Sequence, residues 1–307
     1  MRSRRRILVG ILALGVALAS AGCIPGEIAT RVEQATFAVS GRVDLDVLTS
    51  NGQVTVHGVP GATSVDVTAT LTSRGNTEAA ASSRVRQIEI HMTQTGDRVA
   101  LVYRAQEQPS AVRSNSGVSF VVTVPVLADV ELTTSNGAIE VTGIEGTVGA
   151  STSNGRITAS SIAGALAADT SNGRIDIDAV HGTITLETSN GAIAMDDVQG
   201  AVQAETSNGA IHFAGTFAGD AHRLETSSGL IEVLVHPTAS LHFDARTSNG
   251  SITATLPLAG DISGDEWSAE LNPPATTRVT LRTSNGAITI GALPPATGPN
   301  DNGGSQP

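Results

Sequence analysis

The chain has 307 residues, and its 18 basic residues are all arginine, against 29 Asp plus Glu, for a formal charge of −11. Four of those arginines fall in Met1–Arg6, and without that segment 14 remain and the formal charge is −15. A chain this acidic is expected to repel nucleic acid and anionic lipid surfaces, so no nucleic-acid partner is expected. Seven aromatic residues leave little for stacking sugars or bases, and a single cysteine, Cys23, excludes a disulfide within the monomer.

At the N-terminus, Met1–Arg6 is a basic segment and Ile7–Ala19 an unbroken apolar run, too short for a comfortable membrane span. Together they read as a signal peptide covering residues 1–22. Ala19-Ser20-Ala21-Gly22-Cys23 resembles the lipobox of bacterial lipoproteins, with Ser20 where Leu is commoner. That resemblance implies cleavage between Gly22 and Cys23 and lipid on the Cys23 thiol and new amino group. The membrane would then be a partner through that lipid. Ile24 follows the cysteine, and in similar Gram-negative lipoproteins a residue other than Asp there goes with the outer membrane. Ser3-Arg4-Arg5-Arg6-Ile7-Leu8 also resembles a twin-arginine export signal, which leaves two export routes open.

Residues 23–36 read as a polar tether, and 37–130 as an N-terminal β region. In that region Val43, Leu45 and Val47, an Asn51-Gly52 corner, and Val54 and Val56 make strand, turn and strand. Ser64–Ser73 alternates as another strand, and Asn76–Val85 suits a short helix. Arg86–Arg104 reads as a hairpin turning at Thr95-Gly96-Asp97, Gln106–Gly117 as a polar loop, and Val118–Val124 as a buried strand ended by Pro125.

Residues 131–293 are organised by Thr-Ser-Asn-Gly, whose asparagines Asn136, Asn154, Asn172, Asn190 and Asn208 are spaced 18 apart; Ser228, Asn249 and Asn285 follow in variant copies. A fixed short period marks a stacked-repeat protein. Two residues after each glycine stands an isoleucine (Ile139, Ile157, Ile175, Ile193, Ile211, Ile231), with a second apolar residue two further on. Spacing by two puts these on one face of a strand, with Glu140, Thr158, Asp176 and His212 on the other. One unit cannot bury its apolar face alone, whereas stacked units pairing in register about 4.8 Å apart can. The expected fold is all-β: a single-stranded parallel β-solenoid, or β-helix, with coils of about 18 residues and an N-terminal part with extra strands and a hairpin.

The Asn-Gly pair is expected at a corner needing positive φ, and its asparagines are expected to stack as a structural ladder rather than a ligand site. A second glycine at 146, 164, 182 and 200 is expected to mark another turn. Residues 260–278 interrupt the repeat with an acidic insertion containing Trp267, read as a loop that caps the stack or binds. Residues 294–307 read as a disordered tail.

The sequence carries no nucleophile elbow, P-loop or zinc-protease motif, so no catalytic residue, metal or cofactor is expected. His212, His222, His236 and His242 lie close in sequence, but surface histidines on strands are the ordinary case. Asp176, Asp178, Asp196 and Asp197 fall in adjacent repeats, yet the calcium β-roll nonapeptide is absent.

Val124-Pro125, a spacer, the strand Asp129–Thr133 and then Thr-Ser-Asn-Gly-x-Ile resemble the bacterial β-strand-repeat family named "putative adhesin", a domain of unknown function also called toastrack. The resemblance covers Phe37–Leu293 and implies an envelope-associated, non-catalytic protein. It carries no binding residues over, and the 260–278 insertion departs from it. The leading reading is a monomeric, lipid-anchored envelope protein whose solenoid is an adhesin-like or scaffold surface for a protein or surface ligand. An envelope-stress sensing module with a membrane-protein partner is the alternative, and a polysaccharide-active enzyme a weaker one.

Overall fold

The computed structural model describes residues 26–294, so the Gly22–Cys23 junction, the signal segment and residues 295–307 lie outside the described residues. The first strand, β1 (Glu27–Ala38), corrects the expected tether: residues 27–36 pair antiparallel with β4 (Ser64–Gly75). Their polar composition reflects a sheet edge, where only Phe37 of the strand is fully buried.

Between those strands, β2 (Val43–Leu48) and β3 (Val54–Val59) form the first coil. Helix α1 (Glu78–Arg86) starts where the Thr77 hydroxyl accepts the Ala80 N–H at 3.2 Å, and it buries Ala81 and Val85. The hairpin is β5 (His91–Thr95) and β6 (Arg98–Val102). The expected polar loop is partly helical: a 3-10 turn at Ala105–Glu107 and α2 (Ser110–Arg113) bury Ala105 and Val112. Then β7 (Ser116–Pro125) pairs with β4 and β3. Strand β6 covers one edge of β2, and β8 (Ala128–Thr134) pairs with the other. The first coil is therefore an inner layer, with later chain on both sides.

The regular stack follows as β9 (Ile139–Thr152), β10 (Ile157–Thr170), β11 (Ile175–Thr188) and β12 (Ile193–Thr206), all parallel and in register. Each runs unbroken past the second glycine, so the expected turn there is a bend within a strand. The sharp corner lies earlier, at Gly143, Ser161, Ala179 and Asp197, with φ of 74°, 54°, 52° and 49°. Each coil sets one residue in the left-handed region there, between ladder pairs that stay in register, and that turn reverses the alternation. Ile139 and Val141 point inward before the corner, and Ile144 and Val148 point inward after it.

The Thr-Ser-Asn-Gly glycines do not have positive φ, which corrects the expected stereochemistry. They are needed because the glycine carbonyl of the coil below occupies the space a Cβ would take.

At the C-terminal end, β13 (Ile211–Phe217) and β14 (Ala221–Thr226) continue the stack onto β12, and β15 (Ile231–Val235) pairs with β13. Next come β16 (Leu241–Thr247) and β17 (Ile252–Ala254). The insertion is not a loop: β18 (Ala259–Asp261) and β19 (Glu266–Leu271) form an antiparallel layer on β16. Finally β20 (Thr277–Thr283) and β21 (Ile288–Ala292) return inward, β20 between β14 and β16 and β21 between β15 and β17. One continuous core of Ile, Val, Leu and Phe runs the length of the stack.

Candidate interaction surface

Each rung of the repeat is built from four side-chain and backbone roles. The threonine is buried and its hydroxyl donates to the glycine carbonyl of the neighbouring rung, as Thr152 does to Gly137 at 3.1 Å and Thr188 to Gly173 at 3.0 Å. The serine carbonyl accepts the next rung's asparagine N–H, as Ser153 does from Asn172 at 3.0 Å. The asparagine amides form a line: Asn136 Nδ2 donates to Asn51 Oδ1, Asn154 to Asn136 and Asn172 to Asn154, each at 2.8 Å. Asn190 donates to Asn172 at 2.9 Å, and Asn208 to Asn190 at 3.0 Å. Ser228 interrupts the line, and beyond it Asn249 donates to Asn285 at 3.0 Å, so the spatial order inverts the chain order. With their amides engaged by one another, the asparagines form a ridge whose bonds are mainly internal.

A second line crosses the solvent-facing side. Asp169, Glu187, Glu205 and Glu225 are register partners on β10, β11, β12 and β14. The row continues through Arg282, Arg246 and Glu266 on β20, β16 and β19. Four carboxylates one strand apart thus give way to two arginines and a final carboxylate. Arg282 Nε lies 3.7 Å from Glu225 Oε1, Arg223 Nη2 2.5 Å from Glu225 Oε2, and Arg246 Nη1 3.6 Å from Glu266 Oε2. The arginines are more than half exposed, so these pairs add little stability. Where the row changes sign the surface opens into a cleft of about 420 Å³, lined by Glu205, Glu225, Arg246, Arg282, Glu266 and Trp267 among others. Two atoms of this lining, Glu225 Oε1 and Trp267 Nε1, are buried without a hydrogen-bond partner. Trp267 also packs against the core, so its ring closes the end of the stack as well.

The other candidate residues have separate surroundings. Asp176 is engaged by Arg174 and by Arg156 at 3.6 Å. His212 sits between Asp196 at 3.4 Å and Glu232 at 3.0 Å, and His242 between Asp244 at 3.1 Å and Glu270 at 3.4 Å. His236 bonds Thr238. His222 differs from the surface pattern expected of it: it is 3% exposed, lies against Phe217, and its Nδ1 accepts the Val202 N–H at 3.1 Å. Burial holds its pKa below the usual 6.5 against the raising effect of the Gly219 carbonyl. Burial likewise raises the Tyr103 phenol, and burial together with nearby Asp46 raises the Glu131 carboxyl. Among the described residues, no group of three or more His, Cys, Asp and Glu is arranged to hold a metal ion.

The repeated frame, the threonine–glycine rungs and the parallel register together point to one family. The Toastrack DUF4097 description matches residues 44–291. The chain belongs to the Toastrack DUF4097 family. This toastrack match runs from β2 to β21 and leaves β1 outside it. Among solved structures the chain is similar to a "putative adhesin" from Bacteroides fragilis, at 11% identity over 88% of this chain and 99% of that one, with a TM-score of 0.45. A "putative adhesin" from Parabacteroides distasonis is similar at 12% identity, 88% and 98% coverage and a TM-score of 0.47. A "putative cell adhesion protein" from Clostridium sporogenes is similar at 10% identity, 86% and 100% coverage and a TM-score of 0.27. No curated protein matches in sequence.

Sequence reasoning missed the charged row. Its first three members, Asp169, Glu187 and Glu205, are 18 apart and readable from the period. The placing of Arg282 next to Glu225, and of Arg246 beyond it, follows only from the return of the last coil.

Proposed function

We propose that this toastrack protein is a non-catalytic envelope protein, anchored by lipid on Cys23 and monomeric in its resting form. In this reading its rigid stack presents an adhesin-like or scaffold surface. The observation that carries it is the charged row ending in the cleft around Glu225, Arg282 and Arg246. This row is held on continuous strands rather than mobile loops, so a partner meets a preformed surface. Mixed charge favours a polar, charged partner, such as a protein or acidic-basic surface polymer, over an apolar one. The lipid anchor rests on the small residues before Cys23, and an outer-membrane location, in a Gram-negative host, on Ile24.

Two measurements test this. Radiolabelled fatty acid should enter wild type but not Cys23→Ala, and protease added to intact cells should digest the protein if it faces outward. Lipid with full protection would move the protein to the periplasm and favour a regulatory module with a membrane-protein partner. That second reading draws on the same cleft, because the insertion supplies Glu266. An Arg246→Glu, Arg282→Glu variant should lose surface attachment, or the co-purifying partner, while keeping its anchor. Full retention of both would remove the cleft from either reading.

A further inference from the structure

The last coil of the chain is not the last coil of the stack. β20–β21 lies in a slot between β14–β15 and β16–β17 and pairs in parallel with both. The walls of that slot also fit each other. Glu225 and Arg246 both stand opposite Arg282, and Arg223 and Asp244 both stand opposite Thr280. Stacking β16 directly on β14 would set Glu225 against Arg246 and Arg223 against Asp244. The inserted coil instead places Arg282 beside Arg246, a like-charge neighbour.

What holds the coil in place comes from one continuous segment. Arg278 Nη1 lies 2.6 Å from Asp244 Oδ2, the Thr283 hydroxyl donates to Gly229 O at 3.0 Å, and Asn285 Oδ1 accepts from Asn249 at 3.0 Å. Val279, Leu281, Ile288 and Ile290 are fully buried. Residues 272–276 connect this segment to β19, and among the described residues no later element packs over it. It can leave and re-enter without threading.

We propose that the slot is a binding site for a pair of β-strands and that its occupant exchanges between copies, β20–β21 of one chain filling the slot of a second. The slot selects for this segment because it requires apolar residues two apart on both arms and the Thr-Ser-Asn-Gly frame between them, and the exposed Arg282–Glu225 pair adds little to that selection. An exchanged coil meets the same neighbours it meets at home. Closed and exchanged forms therefore differ only in the connector and in association entropy. Collapse of an emptied slot would gain two exposed ion pairs but leave four apolar side chains in water, which costs far more. Neighbouring copies on one membrane would be linked side by side. That consequence rests on the anchored-scaffold reading, but the exchange itself does not.

The test uses the full chain carrying Cys23→Ser, so it is independent of lipidation. One version carries Arg246→Cys and another Arg282→Cys, exposed register partners on β16 and β20. Mixed at high concentration under mild oxidation, they should give a disulfide-linked heterodimer that increases with concentration. A mixture of Arg282→Cys with Thr158→Cys should remain unlinked. The double variant Arg246→Cys, Arg282→Cys should crosslink within one chain at low concentration. Crosslinking in that double variant without any heterodimer in the mixture would overturn the exchange. So would an intrachain crosslink in Glu225→Cys, Arg246→Cys, because these residues are too far apart to bridge unless the slot has closed on itself. Failure of the Arg246→Cys, Arg282→Cys control would overturn the inserted register on which the proposal stands.

Discussion

Gly173 shows why the repeat needs a glycine where the backbone is not left-handed: a Cβ there would overlap the carbonyl oxygen of Gly155. Backbone, not a flexible side chain, is in the way, so the coils would have to separate. Gly173→Ala is expected to lower stability by about 3 kcal/mol or more, read as a drop in the thermal midpoint. The opposite holds at Ala179, whose φ of 52° strains an L-residue. Ala179→Gly is expected to stabilise on the order of 0.5–1 kcal/mol, the relief of left-handed strain outweighing the added freedom of the unfolded glycine. An unchanged or lower midpoint would contradict that account of the corner. His222 supplies a pH dependence. Its folded pKa is depressed by burial, so the unfolded chain binds the proton more readily. Its contribution is present above about pH 6.5 and is lost as pH falls below it. His222→Gln should flatten the acid side of the midpoint-against-pH curve, and parallel curves for the two proteins would refute the assignment.

The elements follow alternation except where a left-handed corner residue reverses it. In β11, Ile175 and Ile177 are buried, then Ala179 turns the chain with a φ of 52°, and Val180 and Ile184 continue the core with opposite parity. Ile175 stands between Ile157 and Ile193 in the ladder. Ile175→Asp would bury an unpaired carboxylate among them, with an expected loss on the order of 3 kcal/mol or more and loss of exchange protection in the flanking coils. A midpoint equal to wild type would sink the coil register. Period-two patterning also located β2, β3, β4 and the β5–β6 hairpin, and Glu78 with the alanines of residues 76–85 located α1, whereas its Thr77 cap came only from the structure. It did not locate β1, because an edge strand with one face packed under a helix needs few large apolar residues.

At the scale of the molecule, the decisive feature is that stack order departs from chain order at both ends. The first coil is covered on one side by β6 and β7 and on the other by β8 and β9, and the last coil is wedged between its two predecessors. Removing a terminal coil from an ordinary stack exposes one apolar face, whereas removing this one exposes two. A chain ending after Asn272 is therefore expected to lose cooperative unfolding and to bind a hydrophobic dye, even though β18 and β19 remain. A truncated protein with the wild-type midpoint and no dye binding would show the slot to be self-sealing. The same return of the chain brings Arg282 and Arg246 to the end of a carboxylate row and so creates the mixed-charge cleft.

By itself, the amino-acid order determined the repeat, its period, the parallel solenoid and the asparagine line, because each is a local pattern multiplied by stacking. Identical units pair in register wherever they meet, so an 18-residue spacing in the chain becomes one strand spacing in space. The tertiary structure alone decided which coils meet. Every coil presents nearly the same Thr-Ser-Asn-Gly-x-Ile frame, so local pattern does not distinguish a sequential neighbour from a returning one. Connector length, the antiparallel β18–β19 layer and charges such as Asp244 and Arg278 make that choice. The positive φ at Ser161, Ala179 and Asp197 is likewise tertiary in origin: three different residues adopt one strained conformation because the packed coils on either side impose it.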